Sequence, residues 1–158
     1  GRACYLEEKK DKERLLAIAK ASSSLPYVCP ITYVDGRPML DGGIVDSIPV
    51  LRAIEQGYER NVVVLTRNRG YRKSEKDIRV PRFIYTRYPR LRVVLSRRCQ
   101  VYNQQLEMIE RMEDEGRIIA IRPEQRVVVN RIEKDIRKLT SLYEEGYACA
   151  EKVMGQFL

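Results

Sequence analysis

Two unbroken apolar runs constrain this chain most: Asn61-Val62-Val63-Val64-Leu65-Thr66 and Arg117-Ile118-Ile119-Ala120-Ile121. Neither alternates with polar residues, so neither suits a strand with one wet face. A continuous β-branched run is the pattern of a strand buried on both faces. Each run follows a stretch of helical periodicity, and strands that alternate with helices give a largely parallel sheet with helices layered on it. The expected fold class is therefore α/β. Only two such runs occur, which is thin for a doubly covered sheet, so the chain reads as part of a fold.

The remaining elements follow from local signals. Asp11 can cap a helix over 12–22 with Leu15, Leu16, Ile18 and Ala19 on its apolar side, and Pro26 follows its end. Ile31–Val34 and Arg37–Leu40 flank Asp35-Gly36, which predicts a β-hairpin, with Pro38 at an edge. A helix is expected from Pro49, capped by Ser47 and stopped by Gly57. The stretch 67–90 has weak periodicity and reads as an irregular connection with one short helix near 83–88. Helical spacing returns from Leu91 to Glu115, closed by Gly116. Asp135 caps a last helix to about Gln156, with Ile136, Leu139, Tyr143, Tyr147, Ala150, Met154 and Phe157 along a side expected to pack. Tyr102, Tyr143 and Tyr147 are accordingly expected to be core residues rather than reactive ones.

Composition narrows the chemistry. The chain has 158 residues and no histidine. That excludes from it a Ser-His-Asp or Cys-His pair, an H-E-x-x-H zinc site and a facial-triad iron site. Acid–base work must fall to carboxylates, Lys, Tyr or Cys. The four cysteines are scattered with no C-x-x-C pair, which fits reduced, mostly buried thiols of a cytoplasmic protein. No run approaches the roughly 18 apolar residues of a membrane span. The start at Gly1, without Met or a secretory stretch, suggests that an upstream part is missing.

Leu40-Asp41-Gly42-Gly43-Ile44-Val45-Asp46-Ser47-Ile48-Pro49-Val50 resembles the D-G-G/A block of the patatin-like phospholipases. Upstream, Ala21-Ser22-Ser23-Ser24-Leu25-Pro26 is similar to that family's A-S-x-x-x-P approach, and Gly57 with the 61–66 run fits the segment after the block. Tyr102-Asn103, 116–123 and 142–147 are similar to C-terminal regions of bacterial members, so the resemblance extends over nearly the whole chain. It implies a three-layer α/β/α domain with a mainly parallel sheet, of which this is the C-terminal half with a helical extension. Residues 1–66 would belong to the catalytic domain, 67–90 to a basic connector, and 91–158 to a helix-strand-helix region packed on the same domain.

In that family a serine in G-x-S-x-G attacks the acyl carbonyl, and the D-G-G/A aspartate is its base. The resemblance makes Asp41 the catalytic residue, with Gly42 and Gly43 giving the turn backbone angles that side chains forbid. No metal or organic cofactor is implied. No G-x-S-x-G and no glycine-rich oxyanion segment occurs in these residues. The chain is thus expected to be inactive alone and to partner the missing N-terminal half, with phospholipid or another acyl ester as substrate. The other reading of Asp41 is a turn residue that bonds nearby amides, and Asp46 is expected to bond helix or loop amides.

The formal charge is +8. Residues 67–98 hold 12 Lys or Arg against Glu75 and Asp77. Three readings compete for this stretch: a solvated connector, contact with an anionic membrane surface through Arg69, Arg72, Lys73, Arg79 and Arg82, and nucleic-acid binding. The last has no fold signature behind it. A binding module built on this segment is the alternative to the enzyme reading. Uncovered strand edges and apolar faces are further expected to make the fragment a homo-oligomer, and a lipid substrate at an interface suits a cytoplasmic protein peripheral to a membrane.

Overall fold

The computed structural model describes residues 1–74, 83–129 and 133–155. In chain order these form α1 (Lys12–Ser22), β1 (Thr32–Val34), β2 (Arg37–Met39), a 3-10 turn (Gly42–Ile44), α2 (Val50–Glu55), β3 (Asn61–Val64), α3 (Pro89–Asp114), β4 (Ile118–Ile121) and α4 (Ile136–Met154). The chain is α/β, with its longest helices in the C-terminal part. It divides into two units, Gly1–Ile48 with Lys73–Gln105, and Pro49–Arg72 with Leu106–Leu158.

In the first unit, Asp11 caps α1 by accepting from the amides of Glu13 at 2.9 Å and Arg14 at 3.0 Å. β1 and β2 form an antiparallel hairpin in which Val34 faces Arg37. Its two turn residues, Asp35 and Gly36, have φ of 50° and 72°, the doubly left-handed geometry that Asp-Gly tolerates. Arg14 closes the hairpin onto α1 with a two-pronged ion pair to Asp35, at 3.1 and 2.8 Å. Buried Val34, Ala21, Ile44, Leu95 and Cys99 form the unit's apolar centre. The apolar side read on α1 is largely uncovered, however: Leu15 and Leu16 are 48% and 60% exposed. Residues 83–87 form turns and not the expected short helix, because Tyr85 takes φ 56° and a left-handed residue interrupts helical bonding.

In the second unit, β3 pairs with β4 in parallel, Val63 opposite Ala120. Val63, Leu65, Ile118, Ala120 and Ile121 are buried together with Leu106, Ile109 and Met112 of α3. β3 is covered on only one face: Val62 and Val64 are 50% and 70% exposed. The expectation of burial on both faces fails there, since among the described residues no second layer lies over that side. Gly57 and Gly116, at φ 91° and 67°, end α2 and α3 alike. At Gly116 the amides of Gly116 and Arg117 return to the carbonyls of Glu113 and Met112 at 2.9 and 2.8 Å, the left-handed close that glycine favours. Pro49 holds the capping position of α2 without a side-chain cap, and Ser47, two residues earlier, does not cap the helix.

Candidate active site

The residues around Asp41 all belong to the first unit. Asp41 follows β2 after one residue, Leu40, and its amide donates to the carbonyl of Ser24 at 2.9 Å. Ser24 is itself buried, with its hydroxyl donating to the Lys20 carbonyl and paired with that of Thr32, both at 2.8 Å. The Ser-Ser-Ser-Leu-Pro approach therefore ties the end of α1 to the aspartate's own backbone. None of its serines stands on a strand-to-helix elbow.

The turn is closed by a short bond from the Gly43 amide to Asp41 Oδ1, 2.6 Å. No hydrogen bond engages Oδ2 among the described residues, and the carboxyl group is half-buried. One oxygen is thus fixed by an amide and the other is available, which is the arrangement a general base needs. Gly43 is required here for space: a Cβ would lie 3.0 Å from Asp41 Oδ1. At Gly42 a Cβ would meet nothing within 4 Å. Neither glycine has a positive φ, so the unusual backbone angles expected of this pair are not what the turn uses. Close approach at Gly43 is.

Helix α3 braces the turn. The Gly43 carbonyl accepts from Ser47 Oγ at 2.8 Å and from Arg98 Nε at 3.1 Å. Gln105 donates to Asp46 at 2.6 Å and accepts from the Ser47 amide at 3.2 Å. Tyr5 Oη also donates to Asp46. Asp46 thus bonds side chains from distant segments, and not the helix or loop amides expected of it. Arg98, Gln105 and Tyr5 escaped sequence reading because nothing local marks them.

Asp41 and Gly42 border an open cleft of about 1050 Å³. Leu6, Ile18, Met39 and Leu91 give it apolar walls, and Arg37, Arg87 and Arg90 stand around it. An apolar groove with a carboxylate and cations at its border can accommodate an acyl chain beside an anionic group. Residues 5–54 match the family model of the patatin-like phospholipases.

The patatin-like match encloses the whole turn and its approach, but it ends within α2 and does not extend over nearly the whole chain, as the sequence suggested. Residues 88–158 match a second family model, described as a domain of unknown function (DUF6363). Tyr102-Asn103, 116–123 and 142–147 thus fall in that second match. No curated protein matches the chain.

The basic residues proposed for an anionic surface fare differently. In the second unit, Arg69 grips both oxygens of Asp114 at 2.7 Å, and Arg72 pairs with Glu110 at 2.8 Å. These partners push both guanidinium groups further toward the charged form. Glu110 answers in kind: the Arg72 pair, helped by the Gly70 amide, holds its carboxyl down at about 2. In the first unit, the Lys73 ammonium lies 5.1 Å from the ring centre of Tyr102. Arg79 and Arg82 lie outside the described residues. All four cysteines are free, with Cys99 and Cys149 buried. Among the described residues, no cluster of His, Cys, Asp or Glu could hold a metal ion, and no helix is long and apolar enough to cross a membrane.

Proposed function

We propose that this chain is the aspartate-bearing, C-terminal part of a patatin-like serine acyl hydrolase, with Asp41 as the base of a Ser–Asp dyad. The observation that carries the reading is the coincidence of the patatin-like match with a carboxylate held by one oxygen at an open, apolar-walled cleft. The chain's lack of histidine suits a dyad in which the carboxylate takes the serine proton directly. Asp41 Oδ2 accepts that proton as the serine oxygen attacks the ester carbonyl, while the Gly43 amide keeps the carboxylate from rotating away. The serine comes from an upstream half that completes the three-layer fold and covers the exposed sides of α1 and β3. Without it no acyl-enzyme forms, so the 158-residue chain is inert.

The substrate is a phospholipid or another acyl ester, hydrolysed in the cytoplasm at a membrane periphery, with no metal or organic cofactor in the dyad. Lys73, Arg79 and Arg82 contribute to contact with an anionic surface. Arg69 and Arg72 contribute less, because their charge is already matched by α3. A fluorescent fluorophosphonate tests the assignment of the nucleophile. It should label the longer protein on a serine in G-x-S-x-G and leave the 158-residue chain unlabelled. A longer protein that takes no label would remove the hydrolase reading and favour a binding module.

A further inference from the structure

Helix α4 turns the wrong side inward for its sequence. The buried residue is Cys149, flanked on the same side by half-buried Leu142 and Val153. The main apolar stripe lies roughly a quarter-turn or more away and is open: Ile136 is 76% exposed, Tyr143 71%, Tyr147 58%, Leu139 43% and Met154 37%. A stripe of this size at helical spacing is the kind of face that pairs with another helix.

We propose that the α4 stripe is a self-association surface, occupied by the α4 of a second copy of this chain running antiparallel. Two features of the helix itself favour that occupant. The stripe reads almost the same in both directions about position 145, so an antiparallel copy sets Ile136 against the second copy's Met154 and Tyr143 against its Tyr147. The charges along one flank are also ordered for that direction. Arg137 and Glu151 lie two heptads apart, so they share a flank at opposite ends. Both are exposed, and neither has an ion-pair partner among the described residues. Antiparallel pairing brings each Arg137 within a helical turn of the other copy's Glu151; in a parallel pair this flank of one copy lies across from the opposite flank of the other, so the two residues do not meet. Glu144, midway along this flank, comes close to its own copy and opposes the pairing.

The 19 residues of α4 give a face about 28 Å long. Two such faces bury an area at or below the lower end of specific interfaces, about 1,200 Å² in total, so the dimer should dissociate in the micromolar range or above.

Sedimentation equilibrium on the 158-residue chain tests this. The wild type should show a monomer–dimer equilibrium, and Tyr143→Glu should weaken it at least tenfold with the circular dichroism spectrum unchanged. Arg137→Glu should weaken it several-fold, and adding Glu151→Arg should restore it, because the two sites are too far apart along one helix to meet within a copy. Glu144→Gln should tighten it. Since all four side chains are exposed, none of these changes threatens the fold, and the charge reversal stands as a second test should Tyr143→Glu perturb it. A chain that stays monomeric at millimolar concentration overturns the proposal. So does association that ignores Tyr143→Glu, which would run through another surface such as the β3–β4 edges. Failure of the double reversal to restore pairing overturns the antiparallel copy as occupant.

Discussion

At Asp41 the geometry depends on one missing side chain and one distant arginine. A methyl group at Gly43 would press on Asp41 Oδ1 from 3.0 Å, so either the carboxylate or the turn must move. Gly43→Ala should cost about 1–3 kcal/mol of stability, whereas Gly42→Ala should stay within about 0.5 kcal/mol. Urea denaturation of the two variants checks the contrast, and equal losses would contradict the packing reason given for Gly43. Arg98→Ala releases one of the two donors on the Gly43 carbonyl and should cost about 1–2 kcal/mol, with Arg98→Lys recovering only part of it. The turn itself was legible in the sequence because its signals are contiguous: a hairpin, Asp-Gly-Gly, then a proline-led helix. Its brace was not. Arg98 lies 55 positions from Gly43, and a helical arginine carries no local sign of which carbonyl it will reach. The same local reading misjudged the glycines, since adjacent glycines suggest unusual angles when one of them is there for space.

Among the elements, those bounded by capping chemistry were the most readable. Asp11 caps α1 as its sequence indicates, and Asp11→Ala should lower stability by about 1 kcal/mol in thermal or urea melts. Gly57 and Gly116 stop their helices for the same local reason. Ser47 shows the limit of that logic: the helix starts later than its residue pattern suggests, with Pro49 in the capping position, so α2 begins without it. The apolar periodicity of α4 was equally plain, but periodicity states that a stripe exists and not what covers it; Tyr143 and Tyr147, expected in the core, lie outside it. The last turns of α3 make a pH prediction. Glu110 is held at about 2 in the folded chain, chiefly by Arg72, and titrates near 4.5 when unfolded. A depressed carboxylate contributes stability that is present above about 4.5 and is lost as pH falls toward 2. Glu110→Gln should therefore be less stable than wild type at pH 7, by about 1–2 kcal/mol, and the gap should narrow on acidification through that window. A constant gap in melts between pH 7 and 2 would show that the ion pair is not its cause.

Across the molecule, the α/β class was legible from two apolar runs, but how far they would be covered was not. Val62 and Val64 belong to a run that suits a doubly covered strand, yet one side of β3 stays open. Burial depends on partners that a strand's own residues do not name. The open sides of α1 and β3 fit the proposal that an upstream half adds further layers and brings the serine to Asp41. In that longer protein, Asp41 alone decides between a catalytic base and a turn residue. The most direct measurement is turnover of a fluorogenic short-chain ester by the longer protein with and without Asp41→Asn, with folding followed by circular dichroism. If Asp41 is the base, the substitution lowers kcat by on the order of 10³-fold with the fold intact. If a folded Asp41→Asn variant turns over at the wild-type rate, Asp41 is a turn residue and the hydrolase chemistry proposed for it is wrong.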